Sequence, residues 1–159
     1  MRMTAKPIAA VLLIEMILFC SCVCAQRRQD VAVVVHADNP INVLSLAELR
    51  KIFAGEKRSW PGGAPIMVVL RAPGTRERMV LMKLLRMSEG DYKQHWVAQI
   101  LRGEAVSEPI VIPSVGMQRE ALISFPGAIT MVDASDLKIG MKVVKIDGHL
   151  PGEADYSLY

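Results

Sequence analysis

The sequence predicts an α/β fold, a single three-layer lobe whose mainly parallel sheet is flanked by helices. Three observations lead there. Short apolar runs, most of them rich in β-branched residues, recur at 31–35, 66–70, 128–132 and 141–146, as buried strands require. The stretches between them carry helical apolar spacing opened by Ser or Thr caps. The 159 residues, 52% apolar and 22% charged, suit one hydrophobic core, with no linker, internal repeat or low-complexity tract to divide it.

The chain opens with Arg2 and Lys6, an apolar run from Ile8 to Phe19 broken only by Glu15, and a small-residue exit through Val23 and Ala25. That order reads as a secretory signal peptide, residues 1–25, cleaved before Gln26. Two alternatives stay open. A retained anchor would have an apolar run short of the roughly 20 residues that span a bilayer. Its Glu15 would cost on the order of 2–3 kcal/mol in mid-span. Lipidation at Cys22 has a small residue, Ser21, before it, but Phe19-Cys20 departs from the usual aliphatic-small pattern. All three cysteines fall in the leader, so residues 26–159 hold neither a disulfide framework nor a cysteine metal site. The expected location is the periplasm or another exported compartment.

Val31–Val35 is a continuous β-branched run, the pattern of a strand buried on both faces of a parallel sheet. Asp38-Asn39-Pro40 turns the chain. Ser45 and Glu48 form a capping box, Leu46, Leu49, Ile52 and Phe53 a helical stripe, and Gly55 a stop. After the turn-rich 57–63 stretch comes the strand 66–70. A helix over 76–86 follows with Thr75 as N-cap. Ser88 opens another helix, with Tyr92, Trp96, Val97, Ile100 and Leu101 as its apolar face. Residues 109–112 are extended, Ser114 caps a helix ending near Phe125, and Pro126-Gly127 breaks before the last two strands. The tail from Gly148 packs irregularly.

The stretch from Arg71 to Arg78 carries the candidate site. A strand ending in Arg71, a glycine turn at Gly74 and Thr75 at a helix start bring three anion-binding devices together: a forked guanidinium, free backbone N–H groups and a hydroxyl. Ligands of open α/β sheets sit at the carboxyl ends of strands, where Arg71 falls. Arg76 and Arg78 occupy the first helical turn, where cations oppose the helix dipole by roughly 0.3–1 kcal/mol each, and Glu77 offsets only part of this. A bound anion would supply the compensation. The plain alternative is a Thr cap with solvated arginines.

Other chemistry finds no support. His36, His95 and His149 lack the short spacings of metal ligands, and no metal or cofactor is expected. Trp60 and Trp96 read as packing anchors, although Trp60 beside Pro61-Gly62-Gly63 could line a cleft. Asp133 and Asp136 read as cap or turn residues that could also face a cleft. No nucleophile–base pair, Walker loop or zinc-protease motif appears and nothing singles out a carboxylate pair, so a catalytic role such as phosphoester hydrolysis is not expected. A net charge of +3 without a basic block, and 5% aromatics, argue against nucleic-acid binding.

Asn39-Pro40, then Leu46-Ala47-Glu48-Leu49-Arg50-Lys51-Ile52-Phe53-Ala54-Gly55, then Trp60, then Arg71 with Gly74-Thr75 resemble the phosphate-binding proteins of phosphate ABC transporters. So do Pro126-Gly127-Ala128-Ile129, Ile146-Asp147-Gly148, Pro151 and Tyr156-Ser157-Leu158. The order holds across nearly all of 26–159, and the unit from Leu49 to Gly55 followed by Trp60 is the most specific. The resemblance implies the type II periplasmic binding superfamily, in which two α/β lobes close over an oxyanion. It also implies that this chain corresponds to the second lobe, entered and left through the strands 31–35 and 141–146, with no first lobe encoded. Arg71, Gly74 and Thr75 stand where the family's second-lobe ligands stand. The turn is shorter than the family's Arg-Xaa-Xaa-Gly-Ser-Gly-Thr and lacks its serine, which leaves selectivity for phosphate open.

The expected function is therefore exported solute binding, with phosphate or a similar oxyanion held weakly by Arg71, Gly74, Thr75, Arg76 and Arg78. An anion gripped from one side stays half in water. An ABC transporter permease, an envelope sensor and a second copy of the chain are the candidate partners. The alternative is an interaction module derived from such a lobe, without ligand transport.

Overall fold

Five consecutive aliphatic residues form the central strand β1 (Val31–Val35), and all five are fully buried in the computed structural model, which describes residues 29–159. The predicted leader, residues 1–25, lies outside the described residues. In chain order there follow β2 (Val43–Leu44), α1 (Leu46–Phe53), β3 (Met67–Arg71), α2 (Arg76–Leu85), α3 (Glu89–Leu101), β4 (Ile110–Ile112), α4 (Val115–Ser124), β5 (Ala128–Asp133) and β6 (Lys142–Ile146). A 3-10 turn at Ala134–Asp136 separates the last two strands.

The strands make one six-stranded sheet in the order β2-β6-β1-β5-β3-β4. Parallel pairing joins β2 to β6, β5 to β3 and β3 to β4, so five strands share a direction. β1 runs against both of its neighbours, with Val33 opposite Met131 on one side and Val144 on the other. The expected parallel setting of 31–35 is thus corrected. A strand covered by helices on both faces reads as a continuous apolar run whichever way it points, so its composition carries no direction.

Helices α1, α2 and α3 cover one face, where Phe53, Leu81 and Trp96 meet Val31, Val33, Leu70 and Met131. α4 covers the other, where Leu122 packs with Ala32, Val34 and Val132. The three-layer lobe is the predicted one. The buried Gln118 of α4 donates to the Thr130 hydroxyl and, at 2.6 Å, to the Met131 carbonyl, tying that helix to β5. Unpaired at such a site, the amide would cost about 1–3 kcal/mol.

Capping follows the local sequence. Ser45 with Glu48 and Ser88 with Asp91 both form reciprocal capping boxes, and Ser114 accepts from the Met117 N–H. The face of α3 departs from expectation. Tyr92, Trp96 and Gln99 are buried, whereas Val97 is exposed and Leu101 is 82% exposed. At 3.6 residues per turn the first three share a side and the latter two fall opposite. Gln99 belongs inside because its Nε2 donates to the Ala54 carbonyl at 2.6 Å.

Two further contacts fix the frame. A Cβ on Gly127 would lie 2.0 Å from the Pro65 carbonyl oxygen, so the approach of the 126–127 turn to the segment before β3 requires glycine. Trp60 is buried and donates through Nε1 to the Gly127 carbonyl at 3.1 Å, a packing anchor rather than a cleft wall. The irregular tail closes on β1. Leu158 accepts from the Val31 N–H at 2.8 Å, and the Tyr156 hydroxyl donates to the Val31 carbonyl at 2.7 Å.

Candidate functional site

β3 ends at Arg71, and the turn through Ala72, Pro73 and Gly74 delivers the chain to Thr75, the N-cap position of α2. Gly74 has φ +85°, a conformation that favours glycine, and the space beside its Cα is open. Thr75 holds the cap position without capping. Its hydroxyl donates back to the Ala72 carbonyl at 2.9 Å and accepts nothing from the first turn of α2. The expected Thr75 side-chain cap is therefore corrected: a shorter hydrogen bond within the turn claims the hydroxyl. The N–H groups of Arg76, Glu77 and Arg78 precede the first intrahelical bond, and among the described residues no side chain caps them.

The structure gives each arginine its own surroundings. The Arg71 side chain is 12% exposed, and its Nε lies 3.6 Å from Glu77 Oε1, whose side chain is 7% exposed. At that distance the pair is ionic without a hydrogen bond, and Arg71 Nε and Nη1 are buried with no hydrogen-bond partner. Arg78, 7% exposed, forks onto Glu89 through Nε and Nη2 at 2.7–3.0 Å and stacks over the Tyr92 ring at 4.8 Å. Arg76 turns away to the Gln29 carbonyl, with Asp133 Oδ2 at 3.8 Å from its Nε. Asp133 also accepts from the Ser135 N–H at 2.9 Å, its predicted turn role.

Arg71, Glu77 and Arg78 thus come together, lining a shared void of about 10 Å³, room for one water at most. Gly74 and Thr75 form the turn beside it, and Arg76 stands apart. The charge misfit expected in the first turn of α2 is met from within the chain, by Glu89 and Asp133. Within the 71–78 stretch only Glu77 offers a negative charge. The signals were weak: Glu89 sits eleven residues from Arg78 and Asp133 beyond another strand, so only the fold brings them close. No sequence pattern marks Asp30, which lies away from the Arg71 void. It is buried, with Oδ2 accepting from the Gly152 N–H at 2.6 Å and Oδ1 unpartnered, and it helps burial to push the Tyr156 hydroxyl above its ordinary pKa.

The histidines are occupied locally. His36 Nδ1 accepts from the Asp38 N–H, His95 Nε2 lies 2.8 Å from the Ala54 carbonyl, and His149 faces Glu153 at 3.4 Å. Among the described residues no group of three or more His, Cys, Asp and Glu side chains is arranged to hold a metal ion.

A family model described as a PBP superfamily domain matches residues 27–155. Among solved structures, the fold resembles an ABC-type phosphate transport receptor from Vibrio cholerae (TM-score 0.62, 18% identity), covering 77% of this chain and 48% of that one. It also resembles a Clostridium perfringens protein assigned as a phosphate ABC transporter substrate-binding protein and solved with bound phosphate. That match has TM-score 0.61 and 21% identity, covering 76% of this chain and 46% of the other. PstS from Borrelia burgdorferi is similar at TM-score 0.58 and 16% identity, covering 77% and 49%. The chain spans about half the length of these neighbours. Among curated proteins no sequence matches it.

Proposed function

The chain belongs to the PBP superfamily, and from that premise we propose that it is an exported solute-binding lobe that holds phosphate or a similar small oxyanion weakly at the start of α2. The observation that carries this reading is Arg71: a nearly buried guanidinium with two nitrogens free of hydrogen bonds, beside a helix start that Thr75 does not cap. Helix N-termini favour anions through aligned N–H groups and the dipole.

The void beneath Arg71 is too small for an oxyanion, so the ligand sits on the open side of the Gly74–Thr75 turn. There it takes the N–H groups of Arg76, Glu77 and Arg78 and draws Arg71 from Glu77. Glu77 competes for the same guanidinium, which with one-sided contact keeps affinity low. Export rests on the leader at 1–25. Among the described residues no helix is long and apolar enough to cross a membrane. An ABC permease or an envelope sensor is the partner such a lobe would serve.

Thermal unfolding of the full-length chain in phosphate and in sulfate, with chloride at equal ionic strength as control, tests the site. A ligand at ten times its Kd adds about 1.4 kcal/mol of stability. Arg71→Lys keeps a cation beside Glu77 but loses the fork, so it lowers the response. A midpoint that neither anion moves beyond the chloride control rules the site out.

A second reading has its own observation. Arg71, Arg76 and Arg78 each already face a carboxylate of the chain, which favours an interaction module that binds no ligand. A homodimer or a captured envelope partner, together with anion-independent stability, would establish it.

A further inference from the structure

At the other end of the sheet from Arg71, the amino-terminal ends of β3, β4 and β5 surround a half-open cavity of about 550 Å³. Its walls include Ile52, Val68, Trp96, Ile110 and Phe125, and its lip carries Val106, 99% exposed. The size and mainly apolar lining are those of small-molecule sites, which run to about 300–1,000 Å³. β3, five residues at about 3.3 Å each, separates it from the Gly74–Thr75 turn.

Three charged side chains line the cavity: Lys57, Arg58 and Glu108. Lys57 is committed, its Nζ 3.0 Å from Glu48 Oε1. Glu108 is exposed, on a loop that also borders a neighbouring hollow containing Lys93 and Arg78. Arg58 donates through Nε to the Gly55 carbonyl at 2.8 Å, which fastens its guanidinium to the cavity wall. Among the described residues Arg58 has no ion pair. Glu104, whose carboxylate its charge helps to hold ionised, is paired with Arg102 at 2.7 Å. The cavity therefore combines an apolar interior with one anchored cation whose terminal nitrogens are uncommitted.

We propose that this cavity binds a soluble amphipathic anion, an alkyl or aromatic body carrying a single carboxylate-type head, with the body against Val68, Trp96 and Phe125 and the head on Arg58. Charge complementarity selects the occupant. An uncharged apolar ligand leaves Arg58 unused, and a cationic one meets it with repulsion. The site does not depend on oxyanion binding at Arg71.

The test titrates the full-length chain calorimetrically with decanoate, decan-1-ol and decyltrimethylammonium, each below its micelle-forming range. Decanoate binds saturably at one site, about tenfold tighter than decanol, the factor of a charge-assisted hydrogen bond, and the cationic amphiphile binds weakest. Arg58→Gln, an exposed substitution that spares the core, brings decanoate down to the decanol level and leaves decanol unchanged. Ala105→Phe, which narrows the cavity, weakens both, with the unfolding midpoint as the check on folding. Arg71→Lys leaves decanoate binding intact. Absence of saturable decanoate binding overturns the proposal. So does equal binding of all three amphiphiles that Arg58→Gln does not alter.

Discussion

Arg71 at the end of β3 and Glu77 in the first turn of α2 face each other at 3.6 Å, Nε to Oε1, both nearly buried and without a hydrogen bond between them. Two charges removed from water are held by Coulomb attraction alone, with donors left over. The carboxylate of Glu77 stands next to the group an external anion would use.

Removing that competitor should strengthen oxyanion binding. Glu77→Gln relieves a repulsion of roughly 1 kcal/mol at wet-site dielectric, so sulfate and phosphate affinity rises about fivefold by calorimetry. Arg71→Ala instead leaves Glu77 buried and unpaired and lowers unfolding stability by about 3–5 kcal/mol. The double substitution Arg71→Met with Glu77→Leu costs less than Arg71→Ala alone in urea denaturation.

Thr75 offers a sharper separation of stability from binding. Its hydroxyl caps nothing, so Thr75→Ala costs less than the typical value of about 1 kcal/mol that Ser45→Ala and Ser88→Ala each lose. Thr75→Asp places a carboxylate over the free N–H groups and raises the melting midpoint, equivalent to about 0.5–1 kcal/mol. The same change abolishes the stabilisation by phosphate, because the cap then occupies the anion's donors.

Gly127→Ala tests the close approach to Pro65. A Cβ 2.0 Å from a backbone oxygen forces the 126–127 turn off the segment before β3, at a cost of about 3 kcal/mol or more. The Trp60 Nε1 bond to the Gly127 carbonyl goes with it, so tryptophan fluorescence shifts in the native baseline as well as in the transition.

Burial pushes the Tyr92 hydroxyl up to about 12, and the hydroxyl donates to the Phe53 carbonyl at 2.8 Å. An acid whose folded pKa is raised contributes stability that is intact below the unfolded value of about 10 and is lost as pH climbs toward 12. Unfolding stability therefore falls across that window. Tyr92→Phe makes the fall shallower, while costing about 1 kcal/mol at neutral pH for the orphaned carbonyl.

Much of this architecture is legible in the sequence because the cues are local. Ser45-Leu46-Ala47-Glu48 and Ser88 through Asp91 specify helix starts within four residues, and the β-branched run at 31–35 announces a doubly covered strand. What escaped depends on residues far apart. The direction of β1 is decided by its pairing with β5 and β6, more than ninety positions away. β2 is a strand only because two residues lie beside β6. In the 71–78 stretch, the turn at Gly74 and the start of α2 at Arg76 follow from local residues, whereas the bond from the Thr75 hydroxyl to the Ala72 carbonyl does not. The carboxylates that claim Arg76 and Arg78 come from Asp133 and Glu89 on other elements, where no pattern within the 71–78 stretch points. Gln99 breaks the polar-out rule for the same reason: its partner, Ala54, ends another helix as the C-cap of α1.

The central strand is among the first described segments to leave the ribosome, yet its partners come last. Val31 waits for Leu158 and Tyr156, and Val33 for Val144. Pairings about a hundred residues apart must close before the middle of the sheet exists, so β1 stays unpaired until β5 and β6 have been made. A polypeptide built this way keeps its central strand open to late partners, and Tyr156→Phe loosens only the start of β1, where the hydroxyl holds the Val31 carbonyl, while the pairing with β5 and β6 stays in place.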